Sequence, residues 1–87
     1  MNVIEIKDVV REEGYIYYVR KYTGTCVLQL PTETSQFPIS FDIEVGPLGN
    51  RSITLEIPQP PNYPLMPVIS SVKKFITEKD VEGYFPC

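Results

Sequence analysis

"PISFDIEVGPLGNRSITLEIP", residues 38–58, decides how this chain is read. Ile39, Phe41, Ile43 and Val45 alternate with Ser40, Asp42 and Glu44, and after Gly46-Pro47-Leu48-Gly49-Asn50 the alternation resumes with Ile53, Leu55 and Ile57 against Ser52, Thr54 and Glu56. A period of two places successive side chains on opposite faces of a strand, so two such runs around a Gly/Pro/Asn turn predict an antiparallel hairpin with one apolar and one wet face.

Upstream, "NVIEIKDVVREEGYIYYVRKYTG" is rich in β-branched and aromatic residues on both sides of Glu12-Glu13-Gly14, which predicts a hairpin over residues 1–24. In its first arm Ile4, Ile6 and Val10 share a face, with Asp8 the exception, opposite Val3, Glu5, Lys7, Val9 and Arg11. In its second arm Tyr15, Tyr17 and Val19 oppose Ile16, Tyr18, Arg20 and Tyr22. Residues 25–31 add a third strand, with Cys26, Leu28 and Leu30 on one side, which Pro31 ends because it has no N–H for a ladder.

Downstream, residues 58–67 hold five prolines and predict an extended strap that ends the sheet. Val68, Ile69, Val72, Phe75 and Ile76 then recur at helical spacing, Ser70 or Ser71 is placed to cap, Lys74 and Glu78 stand at i and i+4, and Gly83 suits the exit of a helix over 68–83. The terminal "GYFPC" is apolar enough to dock on the rest. The expected fold is α+β and a single domain over residues 1–87: five antiparallel strands, open or curled into a barrel, with one C-terminal helix covering the face made by Ile39, Phe41, Ile43, Val45, Ile53, Leu55 and Ile57.

Composition narrows the chemistry. With 87 residues, 43 % of them hydrophobic and 22 % charged, the chain has the make-up of a small folded module, not of a disordered segment. It has no histidine, which removes the commonest general base near neutral pH, the commonest zinc ligand and every Ser-His or Cys-His nucleophile pair. "GPLGN" lies between two strands and lacks the spacing of a phosphate-binding loop. Asp42, Glu44 and Glu56 share a sheet face, but without the Asp-x-Asn/Asp-x-Gly pattern of a calcium loop they read as the charges of a solvated surface; no metal, cofactor or catalytic residue is expected.

Cys26 and Cys87 are too few for a disulfide framework. With no apolar run near the roughly 20 residues that span a bilayer and no leader-like start, the expected setting is a reducing cytoplasm, away from membranes. Cys26, between apolar neighbours, is expected to be a buried small hydrophobe. Net charge is −3, and all of the excess lies between residues 25 and 67, where Glu33, Asp42, Glu44 and Glu56 face only Arg51. That distribution argues against a broad phosphate-tracking surface.

What remains for function is the crowd of tyrosines and cations in residues 14–24. Tyr15, Tyr17, Tyr18, Arg20, Lys21 and Tyr22 are the candidate binding residues. Tyr and Arg are enriched at interface hot spots, so the leading expectation is a non-catalytic module that binds a protein partner, or a second copy of itself as a dimer, through this hairpin. Stacking of single-stranded nucleic acid on the same rings is the alternative, disfavoured by balanced local charge and by the lack of an RNP-type motif. A small-ligand or metal binder using the acidic face ranks last.

One passage carries a family resemblance. A strand hairpin followed by "YPLMP", Tyr63 to Pro67, is similar to the strand-then-YPxxP passage of ubiquitin-conjugating enzymes and their non-catalytic RWD relatives. It covers about a quarter of the chain. Residues 1–30 read as strands where that family opens with a helix, no HPN motif follows, and neither Cys26 nor Cys87 stands at a nucleophile position, so no activity is carried over from it.

Overall fold

The fold is taken from a computed structural model that describes residues 1–12 and 19–85. Four strands, β1 (Asn2–Glu12), β2 (Val19–Gln29), β3 (Thr34–Val45) and β4 (Arg51–Glu56), are followed by one helix, α1 (Leu65–Val81). The strands form an antiparallel sheet in the order β1-β2-β3-β4, with β1 and β4 as its two edges. The architecture is the expected α+β sheet and helix, with four strands in place of five, and the sheet is open.

The difference in strand number comes from Gly24. Read as a turn between two strands, it instead sits inside one continuous β2, paired with Ile39 of β3. A Cβ at this position would lie 3.2 Å from Ile6 Cγ2, 3.2 Å from the Lys7 carbonyl oxygen and 3.3 Å from Val9 Cγ2. Glycine is therefore used here for the close approach of β1, not to reverse the chain.

Strict alternation in the first arm is also corrected. The β1–β2 register shifts between Val3 and Glu5 and again between Lys7 and Val10, and Asp8 has φ +55°. Each shift adds one residue to β1 and turns the following side chains over. Val3 and Ile6 are consequently both buried, whereas Ile4 and Val10, expected on the face of Ile6, are exposed.

Between β3 and β4 the expected turn holds. Gly46 N–H donates to Asn50 O at 2.7 Å, Gly49 N–H donates to Gly46 O at 2.9 Å, and Gly49 has φ +83°. Ile39, Phe41 and Ile43 are buried, and Ile53, Leu55 and Ile57 pack half-buried against them, which confirms the apolar face.

The helix starts three residues before the expected span, at Leu65 with Pro64 as N-cap and no side-chain cap, so Ser70 and Ser71 lie within it. Pro67 falls in the first turn, where the missing N–H has no intrahelical partner to lose. The helix ends on a Schellman motif, as Gly83 leads one to expect: Gly83 (φ +76°) donates to Asp80 O and Tyr84 donates to Lys79 O at 3.0 Å. Lys79, not Lys74, forms the ion pair of this helix, with Glu82 at 3.6 Å.

Val68, Val72 and Ile76, spaced four apart, are fully buried against the sheet. Burying a side chain of this kind stabilises by about 1.5–3 kcal/mol. After the helix the chain turns back to dock: Phe85 is 4 % exposed, its ring centroid 5.2 Å from that of Phe41 and 5.7 Å from that of Tyr22, and Tyr84 donates its hydroxyl proton to Ile6 O at 3.3 Å.

Candidate functional site at the hairpin end of the sheet

The buried helix stripe Val68, Val72, Ile76 continues with the same spacing to Asp80. A carboxylate is thereby placed on the face that packs on the sheet, its side chain only 4 % exposed. Such a charge is costly unless it is paired, and two strands supply the pairing. Arg20 of β2 donates from Nη2 to Asp80 Oδ2 at 2.9 Å, and Arg51 of β4 donates from Nε to the same oxygen at 2.7 Å. Burial pushes the Asp80 carboxyl up, but the hydrogen bonds from Arg20 and then Arg51 outweigh it and hold the group below the usual carboxylate range. The Arg20 guanidinium is raised in turn, chiefly by its hydrogen bond to Asp80.

This three-residue cluster ties β2, β4 and the last helical turn together. It stands at the end of the sheet where Glu12 closes β1, Val19 opens β2 opposite Glu44, and the Gly46–Asn50 turn joins β3 to β4. Two aliphatic side chains are exposed in this region, Leu48 on the turn at 95 % and Val81 at the helix end at 67 %.

The expected binding residues divide sharply. Tyr22 is 1 % exposed and belongs to the core, its ring stacked on Phe41 at 5.2 Å with an interplanar angle of 24°. Its hydroxyl accepts from Arg20 Nη1 at 3.1 Å, and Arg20 Cζ lies 6.0 Å from the ring centroid. Inward Tyr22 therefore serves packing, contrary to its expected place in a contact surface. Arg20 is half-buried and committed to Asp80. Lys21 is exposed on the outer face of the sheet, in a shallow depression lined by Glu12, Ser40, Asp42, Thr54 and Glu56. Tyr15, Tyr17 and Tyr18 lie outside the described residues.

Asp42 is paired with Thr54, Glu44 with Ser52, and Glu56 with Ser40, which puts the three acids on the wet face as expected. Among the described residues no group of three His, Cys, Asp or Glu side chains could hold one metal ion. Cys26, 0 % exposed, is a free thiol whose pKa burial pushes up to about 11. Sealed in the core and protonated at neutral pH, it is no nucleophile. Among the described residues no helix is long and apolar enough to cross a membrane.

The Asp80 cluster escaped the sequence reading, although a signal was present: extending the four-residue spacing one step past Ile76 reaches Asp80, and an arginine on an inward strand position calls for a partner of this kind.

A family model matches residues 1–81. The chain belongs to the BB-0187 family. The family match runs from the first residue of the chain to the last residue of α1, so Arg20, Arg51 and Asp80 all fall inside it, whereas Tyr84 and Phe85, which cap the core, lie beyond. No curated protein and no solved structure matches the chain.

Proposed function

We propose that this domain is a non-catalytic protein-interaction module of the cytoplasm that takes a partner at the hairpin end of the sheet, through the tyrosine-bearing segment between β1 and β2. The observation that carries this reading is the Arg20–Asp80–Arg51 cluster, which braces the base of that hairpin against the helix and the opposite edge. A braced base lowers the entropic cost of presenting a contact segment. Leu48 and Val81, exposed beside it, extend the surface with apolar area. A reducing compartment suits a core that holds Cys26 as a free thiol.

Nucleic acid is the weaker reading, because one of the two cations it needs is spent on Asp80 and the other, Lys21, is set among Glu12, Asp42 and Glu56. A salt series of oligonucleotide titrations is expected to show no binding.

The deciding variant is Tyr15→Ser with Tyr17→Ser. It is expected to keep the thermal midpoint of the parent chain while losing the proteins that the parent retains on an affinity column, identified by mass spectrometry. Tyr22→Ser, by contrast, is expected to unfold the domain. Retention of the same proteins by the double variant would sink the proposal.

A further inference from the structure

The two edges of the sheet are built differently. β1 carries two register shifts, a residue at φ +55°, and the charges of Glu5, Lys7, Asp8, Arg11 and Glu12, all devices that discourage a further strand from pairing. β4 has none of these between Ser52 and Leu55. Its six residues pair with β3 in unbroken register, and from Ser52 to Glu56 there is no proline, no bulge and no inward charge. Arg51, just before this span, is already engaged by Asp80 of its own helix. Among the described residues, no backbone hydrogen bond from a turn or loop reaches residues 52–56, so the outer edge of β4 is an open row of donors and acceptors.

That row is complementary to itself. Antiparallel pairing sets residues of the same face opposite one another. About a twofold axis through Thr54, Ile53 meets Leu55 of the second copy on the helix side, while on the outer side Thr54 meets Thr54 and Ser52 meets Glu56. Apolar faces apolar, hydroxyl faces hydroxyl or carboxylate, and no like charges are opposed. Ile53 and Leu55, only half-buried in one chain, gain the cover they lack. We propose that β4 is a dimerisation edge, through which two copies of this chain join their sheets into one continuous antiparallel sheet. The surface lies at the opposite edge from β1, so the dimer leaves the tyrosine-bearing hairpin free and holds or fails independently of its role.

The test is solution mass by analytical ultracentrifugation across a concentration series reaching about 1 mM. The parent chain is expected to move from 9.9 kDa to twice that mass as concentration rises. Thr54 is exposed and beside Asp42, so Thr54→Lys is expected to fold as stably as the parent yet remain monomeric, because it sets two ammonium groups opposite each other at the axis. Thr54→Lys mixed with Thr54→Glu is expected to restore a mixed dimer in native mass spectrometry. Val10→Lys, on the β1 edge, is expected to change nothing. A parent chain that stays monomeric throughout overturns the proposal, as does an unchanged dimer in Thr54→Lys, a lack of mixed dimers, or loss of the dimer in Val10→Lys.

Discussion

Arg51 Nε lies 2.7 Å from Asp80 Oδ2 and so fastens the sheet's edge strand to the last turn of the helix, two elements separated by the whole proline-rich strap. Arg20 reaches the same oxygen from β2. Replacing Asp80 by Asn keeps the shape and removes the charge, leaving two partly buried guanidinium groups without a counter-charge. We expect a loss of about 1–3 kcal/mol at pH 7, read as a lower thermal midpoint at roughly 4–8 °C per kcal/mol. The pH dependence has a definite sign. A carboxyl held low in the folded chain contributes its full stability above the ordinary unfolded value near pH 4, and loses it as pH falls through the folded value. The gap between the parent chain and Asp80→Asn should therefore close between about pH 5 and about pH 2. A gap that is constant across this range would show that the charge is not what Asp80 supplies.

Gly24 is predicted to tolerate nothing larger. Gly24→Val puts branched carbon where even a Cβ would approach Ile6, Val9 and the Lys7 carbonyl at 3.2–3.3 Å, and backbone on one side cannot yield as a side chain can. Overpacking of this kind costs about 1–3 kcal/mol. Urea unfolding measures it, and stability equal to the parent would mean that β1 and β2 separate without cost.

Cys26 should resist modification. In a Cys87→Ser background, the native chain at about pH 8 is expected to react with a thiol reagent only as fast as it unfolds, since the buried thiol titrates near 11. Alkaline stability follows the same shift. A thiol whose folded pKa is raised contributes fully below the unfolded value of about 8.5, and its contribution is lost as pH climbs from there toward about 11. Instant labelling of the native chain would contradict the burial.

Much of the fold was legible because the β3–β4 hairpin obeys one simple period. Ile39, Phe41 and Ile43 announce the core, and Gly46, Pro47 and Gly49 announce the turn between the strands. The errors fall where backbone geometry, not side-chain type, decides. Gly24 can reverse a chain or admit a neighbour, and only the position of Ile6 and Val9 distinguishes the two. Asp8 gives no sign in sequence that its φ will be positive, so the phase of β1 was read one residue out. At the site, alternation placed Arg20 and Tyr22 on one side together, but their destination inside the fold depended on Asp80, 60 residues from Arg20.

The order of the strands has a kinetic consequence. In the sequence β1-β2-β3-β4 every strand pairs with the one made just before it, so each step closes only a short loop and none waits for a distant partner. The cover comes last. When the ribosome has released residue 57 the four strands are complete, yet the apolar face waits for Val68, Val72 and Ile76 and finally for Phe85. At about 5–20 residues per second that wait is on the order of seconds, during which the nascent sheet shows Ile39, Phe41 and Ile43 to the cell.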